Sequence, residues 1–368
     1  MKKALIILPT YNERKNIRTL IPEIFAVSKD IEKWEIHILV VDDNSPDSTA
    51  EEIVTLQKKY KKLFLLKSQK EGLGKAYTKG FKYAFEHIRP DVIFEMDADW
   101  SHNPKDIPNF LSAIEKGSDF VIGSRYRKGG SIPQDWPIHR KVLSIFANLI
   151  VRLGFMKPRI TEWTNGYRAI RSWIVKAALP HLENYTGYVF QIAFLDFAIK
   201  NNAVISEVPV KFTDRVDGKS KMSSIQYITN TLFYVFTNSP FIRFAIVGGV
   251  GFIIDFGLSY ILIEKRHLAV WLSTVISAET AIISNFLLNN FWSFSHKKLE
   301  SKASVFINKF VRFNFIAVVS ILIQSTTLHF ATEKFGQDYW YIYKIIIIAL
   351  VIIPYSYFTY NRLIWKKK

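Results

Sequence analysis

Residues 241 to 363 hold four long apolar runs with few charges, and that feature most constrains what this chain can become. The runs read as spans 241–263, 269–292, 311–332 and 341–363, each near the roughly 20 residues that cross a hydrocarbon core. Residues 1 to 240 are different, alternating short apolar strands with charged helical stretches. The connection 293–310 carries Lys297, Lys298, Lys302 and Lys309 against one glutamate, and the chain ends Trp365, Lys366, Lys367, Lys368. By the positive-inside rule both face the cytoplasm. Four spans then put both termini and the first 240 residues on that side of a lipid bilayer. The apolar run near the N-terminus, LIIL, is too short for a secretory leader and is expected to be a buried strand. Trp271, Trp292, Trp340 and Trp365 fall at span ends, as an aromatic belt would.

The formal net charge is +17. Nucleic acid is excluded as a partner, because no segment interleaves a concentrated basic stripe with stacking aromatics. Anionic headgroups and phosphorylated substrates account better for lysines near the spans. The chain has no cysteine, which excludes disulfides and thiolate chemistry.

In the first part, strand 4–8, helix 16–28, strand 37–41, helix 47–60 and strand 63–67 alternate as β, α, β, α, β, which predicts a mostly parallel, Rossmann-like sheet. Gly72 and Gly74 open a helix over 75–88, either as punctuation or to let a phosphate approach the backbone. The run VIFEMDADWS follows, with Asp97 and Asp99 spaced so that strand alternation would set both on one side. Paired carboxylates at a strand end are a seat for Mg2+ or Mn2+ on a diphosphate. LIILPTYNE and LVVDDNSPDS are two further strands with polar carboxyl ends, and ligands of open α/β sheets bind outside such ends. Residues 138–155 repeat Val142, Ile145, Phe146, Leu149, Ile150 and Leu153 at helical spacing beside His139, Arg140, Lys141 and Arg152. That stripe faces either the core or the headgroup layer.

The motifs LPTYNE, VVDDNSPD, EGLGKAY, MDADWSH, GSRY and DRVDGKSK together resemble the dolichyl-phosphate mannose synthase branch of family 2 glycosyltransferases, of the GT-A fold, over about residues 3 to 225. FIRFAIVGGVGFIIDFGLSY and NFLLNNFWSF resemble the GtrA-type membrane domain. The expected architecture is an α/β GT-A catalytic domain at 1–221, an amphipathic linker at 222–240 and a four-helix transmembrane domain at 241–368. The resemblance implies inverting transfer of mannose from GDP-mannose to dolichyl (polyprenyl) phosphate, giving a β-linked product. It places the nucleotide at Pro9, Tyr11, Glu13, Val41, Asp43, Asp97 and Ala98, and the metal at Asp97, Asp99 and Ser101. An Asx turn with Asn44 and Ser45 is the rival role for Asp43. The acceptor oxygen is already ionised, so cations that fix it in line matter more than a base. Arg125, Arg140, Arg215 and Lys221 are the candidates, with Ser144 and Ser220 as hydroxyl donors; Asp97, Asp99, Arg125 and Arg215 carry catalysis.

Two positions depart from that family: Glu162 stands in TEWTNGYRA where relatives carry Asp, and Gln191-Ile192-Ala193 lacks the glutamate of Gln-x-Glu. Asp196, on a helix, is expected to project elsewhere. In the spans, Asp255 and Glu279 are costly ionisable groups that either pair with Asn285, Asn289 or hydroxyls, or line a polar path for a headgroup. Gly248, Gly249 and Gly251 would allow close helix packing. Two alternatives stay open: glucosyl transfer from UDP-glucose, and a flippase whose first domain only loads the glycolipid. A processive synthase is disfavoured, since the chain lacks QxxRW.

Overall fold

The computed structural model describes residues 1–185, 187, 189–214, 224–300 and 302–366. The described chain forms two compact units, Met1–Tyr234 and Val235–Lys368.

The first unit is built on a seven-stranded sheet. Its elements are β1 (Lys2–Thr10), α1 (Arg14–Ser28), β2 (Trp34–Asp42), α2 (Thr49–Gln57), β3 (Leu63–Lys67), α3 (Leu73–Tyr83), β4 (Val92–Glu95), α4 (Ile107–Glu115), β5 (Phe120–Ser124), α5 (Ile138–Gly154), β6 (Arg168–Arg171), α6 (Ser172–Leu182), α7 (Val189–Lys200), β7 (Ile205–Pro209) and α8 (Ser224–Asn238). The strand order is β3-β2-β1-β4-β6-β5-β7. β1 pairs in parallel with β2 on one side and β4 on the other. Ala4 to Leu8 are fully buried, as a central parallel strand covered on both faces requires. Each of the larger side chains, Leu5 to Leu8, contributes roughly 1.5–3 kcal/mol. The chain steps from β1 to β2 and β3, then returns to the opposite side of β1 as β4. That reversal is a topological switch point, and a crevice opens at the strand carboxyl ends there.

Mostly parallel is the right description, because β6 runs antiparallel to both β4 and β5. Neither β6 nor β7 shows in the hydrophobic pattern: Arg168-Ala169-Ile170-Arg171 is four residues framed by arginines. The helix expected over 75–88 runs from Leu73 and widens into a π turn, Ala84–Ile88. Its two glycines serve the backbone. Gly72 has φ 100°, and a Cβ on Gly74 would lie 2.6 Å from the Tyr185 carbonyl oxygen.

The second unit has four helices long and apolar enough to cross a membrane: α9 (Pro240–Lys265), α10 (Val270–Ser293), α11 (Ala303–Phe335) and α12 (Trp340–Leu363). Ser239 caps α9, its hydroxyl accepting from the Ile242 amide at 3.1 Å, with Pro240 at the first helical position. Asp255 accepts from Ser277 Oγ at 2.6 Å, so an interhelical hydroxyl meets this carboxylate rather than Asn285 or Asn289. Glu279 instead lies on an exposed face of α10. Of the three glycines only Gly251 serves close packing, since a Cβ there would lie 2.7 Å from Asn285 Cγ, whereas Gly248 and Gly249 meet open space. Trp365 departs from the aromatic belt: Trp271, Trp292 and Trp340 are exposed, but Trp365 is fully buried against Phe294 and donates to Asn290 Oδ1 at 3.1 Å. An indole buried with its N–H satisfied is a core anchor.

Candidate active site at the sheet switch point

The loops after β1, β2 and β4 are unusually constrained. Asn12, Asn44, Ser48 and Trp100 all have positive φ, and for Trp100 at 67° this is an uncommon conformation for a bulky residue. After β2, Asp42 forms the turn, accepting from the Ser45 amide at 3.0 Å, Ser45 Oγ at 2.6 Å and Thr10 Oγ1 at 3.0 Å. The Asx role weighed for Asp43 thus belongs to Asp42. Asp43 is itself buried, with Oδ1 lacking a hydrogen-bond partner among the described residues. Burial raises its carboxyl above the usual range, opposed by the Ser68 hydroxyl and the Lys79 ammonium.

The other expected nucleotide positions surround that turn. Pro9 and Val41 are register partners across β1 and β2. Glu13 accepts from Asn16 Nδ2 at 2.7 Å, and its amide donates to Thr49 Oγ1 at 3.1 Å. Tyr11 carries the Lys70 ammonium 3.6 Å above its ring. Lys70 was not among the expected residues; nothing in its local sequence separates it from other surface lysines.

β4 ends at Glu95, so Asp97 and Asp99 stand in the loop beyond it and strand alternation does not orient them. The Asp97 side chain is 37% exposed, while Ala98 and Asp99 are buried. Asp99 Oδ1 accepts from the Ser101 amide at 3.1 Å. Ser101 Oγ is buried without a hydrogen-bond partner among the described residues. Two carboxylates and an orphaned hydroxyl within five residues form an oxygen donor set, which fits a hard divalent cation. The Trp100 indole donates to Thr19 Oγ1 at 3.1 Å, and its carbonyl accepts from Thr213 Oγ1 at 3.0 Å.

Behind the loop lies a buried polar layer. Glu95 is fully buried, 4.0 Å from Arg168. Burial pushes its carboxyl up to about 7, opposed by Arg168. Arg168 donates to the carbonyls of Asn165, Gln191 and Trp163 at 2.8, 2.7 and 2.9 Å. Gln191 is buried, and its amide atoms lack partners among the described residues.

Arg125 sits in a wall beside this layer. Its Nε and Nη2 donate to Glu162 at 2.8 and 2.9 Å, and Nη2 also donates to Thr164 Oγ1 at 2.9 Å. Its fork is therefore committed to a carboxylate within the fold. Burial of Glu162 is outweighed by the Arg125 charge and hydrogen bonds, which hold its carboxyl below the usual range. Glu207 fixes the same loop, accepting from the Thr161 and Glu162 amides at 2.7 and 2.8 Å. Ser144 meets Tyr126 through their hydroxyls at 2.6 Å. Arg140 pairs with Asp214 at 3.2 Å and stacks 3.9 Å above Trp136. Phe212 joins the group, with the Arg125 guanidinium 5.4 Å and the Trp136 ring 5.9 Å from its centre. Arg215, Ser220 and Lys221 lie outside the described residues. Asp196 is engaged elsewhere, by Lys200 at 2.6 Å and Tyr234 at 2.9 Å.

On α5, Ile138, Val142, Ile145, Phe146, Leu149 and Leu153 are exposed; Ile138 reaches 80%. The stripe is not core.

Residues 5–173 match the family model of glycosyl transferase family 2, and residues 243–365 match that of the GtrA/DPMS transmembrane domain. Dolichol-phosphate mannosyltransferase of Pyrococcus furiosus is 32% identical over 303 residues, 79% of this chain and 81% of the relative. Polyprenol monophosphomannose synthase of Mycolicibacterium smegmatis is 38% identical over 225 residues, 60% of this chain and 82% of the relative. A solved glucosyl-3-phosphoglycerate synthase from Mycobacterium tuberculosis superposes with a TM-score of 0.47 at 14% identity, covering 64% of this chain and 78% of that one, too distant to inform the site. The chain belongs to glycosyl transferase family 2 and is an integral membrane glycosyltransferase, its GT-A domain joined to a GtrA/DPMS transmembrane domain.

Proposed function

We propose that the protein transfers mannose from GDP-mannose to dolichyl (polyprenyl) phosphate at the cytoplasmic membrane face, inverting the anomeric centre to give a β-linked mannosyl phosphate. The observation that carries the reading is the Asp97-Ala98-Asp99-Trp100-Ser101 loop at the switch point, with its orphaned buried hydroxyl. The names of the two curated relatives supply the sugar and the lipid class. In this reading Asp97, Asp99 and Ser101 would hold Mg2+ or Mn2+, which would supply positive charge against a departing diphosphate. Pro9, Tyr11, Glu13, Val41, Asp43 and Ala98 shape the nucleotide pocket. Arg140, Arg215 and Lys221 meet the acceptor phosphate, with Ser144 beside them. Arg125, with its fork on Glu162, orients that wall and adds positive potential. The exposed stripe of α5 lies in the headgroup layer, where Arg140, Lys141 and Arg152 meet lipid phosphates.

The test uses purified full-length protein in liposomes with polyprenyl phosphate and either GDP-mannose or UDP-glucose, the lipid product being identified by mass. A mannosyl product, lost on chelation and in Asp99→Ala with an unchanged melting temperature, is expected. A glucosyl product from UDP-glucose overturns the donor, transfer that survives chelation overturns the cation site, and rapid product movement between leaflets supports a flippase.

A further inference from the structure

His102 is buried five residues beyond Asp97, at the end of a loop in which Asp97 and Trp100 are partly exposed and Ala98, Asp99 and Ser101 are buried. Its ring stacks on Tyr167 with centroids 4.8 Å apart and meets the edge of Phe212 at 6.0 Å. Nδ1 accepts from the Asp97 backbone amide at 3.0 Å, and Nε2 lies 3.0 Å from Asn165 Oδ1. The partners settle every proton. A backbone amide can only donate, so Nδ1 carries none and the neutral ring holds its proton on Nε2. Asn165 Nδ2 faces the Gly123 carbonyl at 2.6 Å, which can only accept, so Oδ1 is the amide atom turned to the ring. Oδ1 accepts a second bond from the Tyr167 amide at 3.2 Å, and the Asn165 backbone amide donates to Glu162 Oε1 at 3.2 Å. Glu162 is the carboxylate that holds Arg125. A chain of like-directed hydrogen bonds therefore runs Asp97, His102, Asn165, Glu162, and ends on a buried anion.

We propose that His102 is a positioning residue of the cation site: as the Nε2–H tautomer it fixes the Asp97 backbone, and Asn165 and Glu162 fix the ring. The proposal rests on the reading of Asp97 and Asp99 as cation ligands. Burial and stacking remove the ring's freedom, so the one acceptor it offers the loop is held at a set place. Asp97, whose carboxylate is 37% exposed and lies 3.9 Å from Nε2 of the same ring, is then held at its backbone amide. Partners outside the ligand shell of this kind typically change metal affinity by about 10- to 100-fold when removed.

The test is Mn2+ titration by calorimetry on the full-length protein in detergent, with GDP present, for wild type, His102→Ala, His102→Asn and Asn165→Ala. Asparagine places a carbonyl oxygen near Nδ1 and so keeps the acceptor for the Asp97 amide; alanine does not. His102→Ala is expected to bind Mn2+ about 10- to 100-fold more weakly, with His102→Asn close to wild type and Asn165→Ala between them. Excess Mn2+ should restore kcat in His102→Ala, a rescue that a purely fold-supporting histidine would not show. Unchanged Mn2+ affinity in His102→Ala or Asn165→Ala, or an asparagine variant as weak as alanine, overturns the proposal. Should His102→Ala not fold, Asn165→Ala, which keeps the ring, decides on the same criterion. A wild-type protein that binds no Mn2+ refutes the cation site itself, and that result precedes any variant.

Discussion

Replacing Glu162 by glutamine isolates the charge at the centre of the polar wall. The carboxylate is fully buried and accepts from Arg125 Nε and Nη2, from the Thr164 amide and hydroxyl, and from the Asn165 amide. Glutamine keeps its size but turns one oxygen into a donor. With the amide oxygen toward Thr164 and Asn165, the new NH2 opposes Arg125 Nε–H; with the amide reversed, it opposes two backbone amides. Either way a guanidinium whose side chain is only 9% exposed loses the negative charge opposite it. Breaking a buried pair from one side costs about 3–5 kcal/mol. For a unit of this size each kcal/mol moves the melting temperature by about 2–4 °C, so Glu162→Gln should melt roughly 6–20 °C lower. Thermal unfolding of the full-length protein in detergent measures it. Arg125→Met with Glu162→Gln removes both charges and should recover most of the loss. The pH dependence has a definite sign. A carboxyl held below its unfolded value contributes stability above the ordinary range and loses it as pH falls through the folded value. The deficit of Glu162→Gln should therefore shrink in acid. A single variant within about 2 °C of wild type, or a double variant no better than the single, refutes the account.

Two further outcomes follow from the same layer and from α5. Glu95, raised to about 7 from 4.5 by burial, binds its proton more tightly in the folded state, so stability falls as pH rises between those values; the gap is worth roughly 3 kcal/mol. Glu95→Gln should flatten that decline in melting temperature, and curves that stay parallel count against it. Phe146→Glu, on the exposed stripe of α5, should raise the KM for polyprenyl phosphate in vesicles about tenfold and leave GDP binding unchanged; an unaltered acceptor KM removes α5 from the membrane surface.

What could be read from the linear chain, and what could not, divides along a physical line. β1 and β2 were legible because buried parallel strands are continuous apolar runs, and the edge strand β3 falls at Leu63–Lys67, where its short apolar run puts it. The four spans were legible for a similar reason, since length and hydropathy alone constrain them. β6 was not, because Arg168 and Arg171 look like solvent-facing residues until the fold supplies carbonyls for their guanidinium groups. The stripe of α5 could not be assigned from sequence and Trp365 was assigned wrongly, because apolar periodicity marks a face without saying what covers it.

The site divides in the same way. Asp97 and Asp99 are close in sequence, so their spacing alone suggests shared chemistry, whereas Ser101 enters only through the family resemblance. What holds them is remote. The ring of His102 depends on Asn165, 63 residues away, and Arg125 is oriented by Glu162, 37 residues away. No local pattern distinguishes such an asparagine from a turn residue or such a glutamate from a substituted family aspartate. The departure at Glu162 becomes intelligible only with the Arg125 fork on it. In the proposed reading the cation's ligands are local in sequence, whereas the residues that hold that loop still come from elsewhere in the fold, where rigidity is made. A substitution at Asn165 should therefore disturb cation binding at Asp97 and the Glu162–Arg125 wall together, although it touches neither substrate.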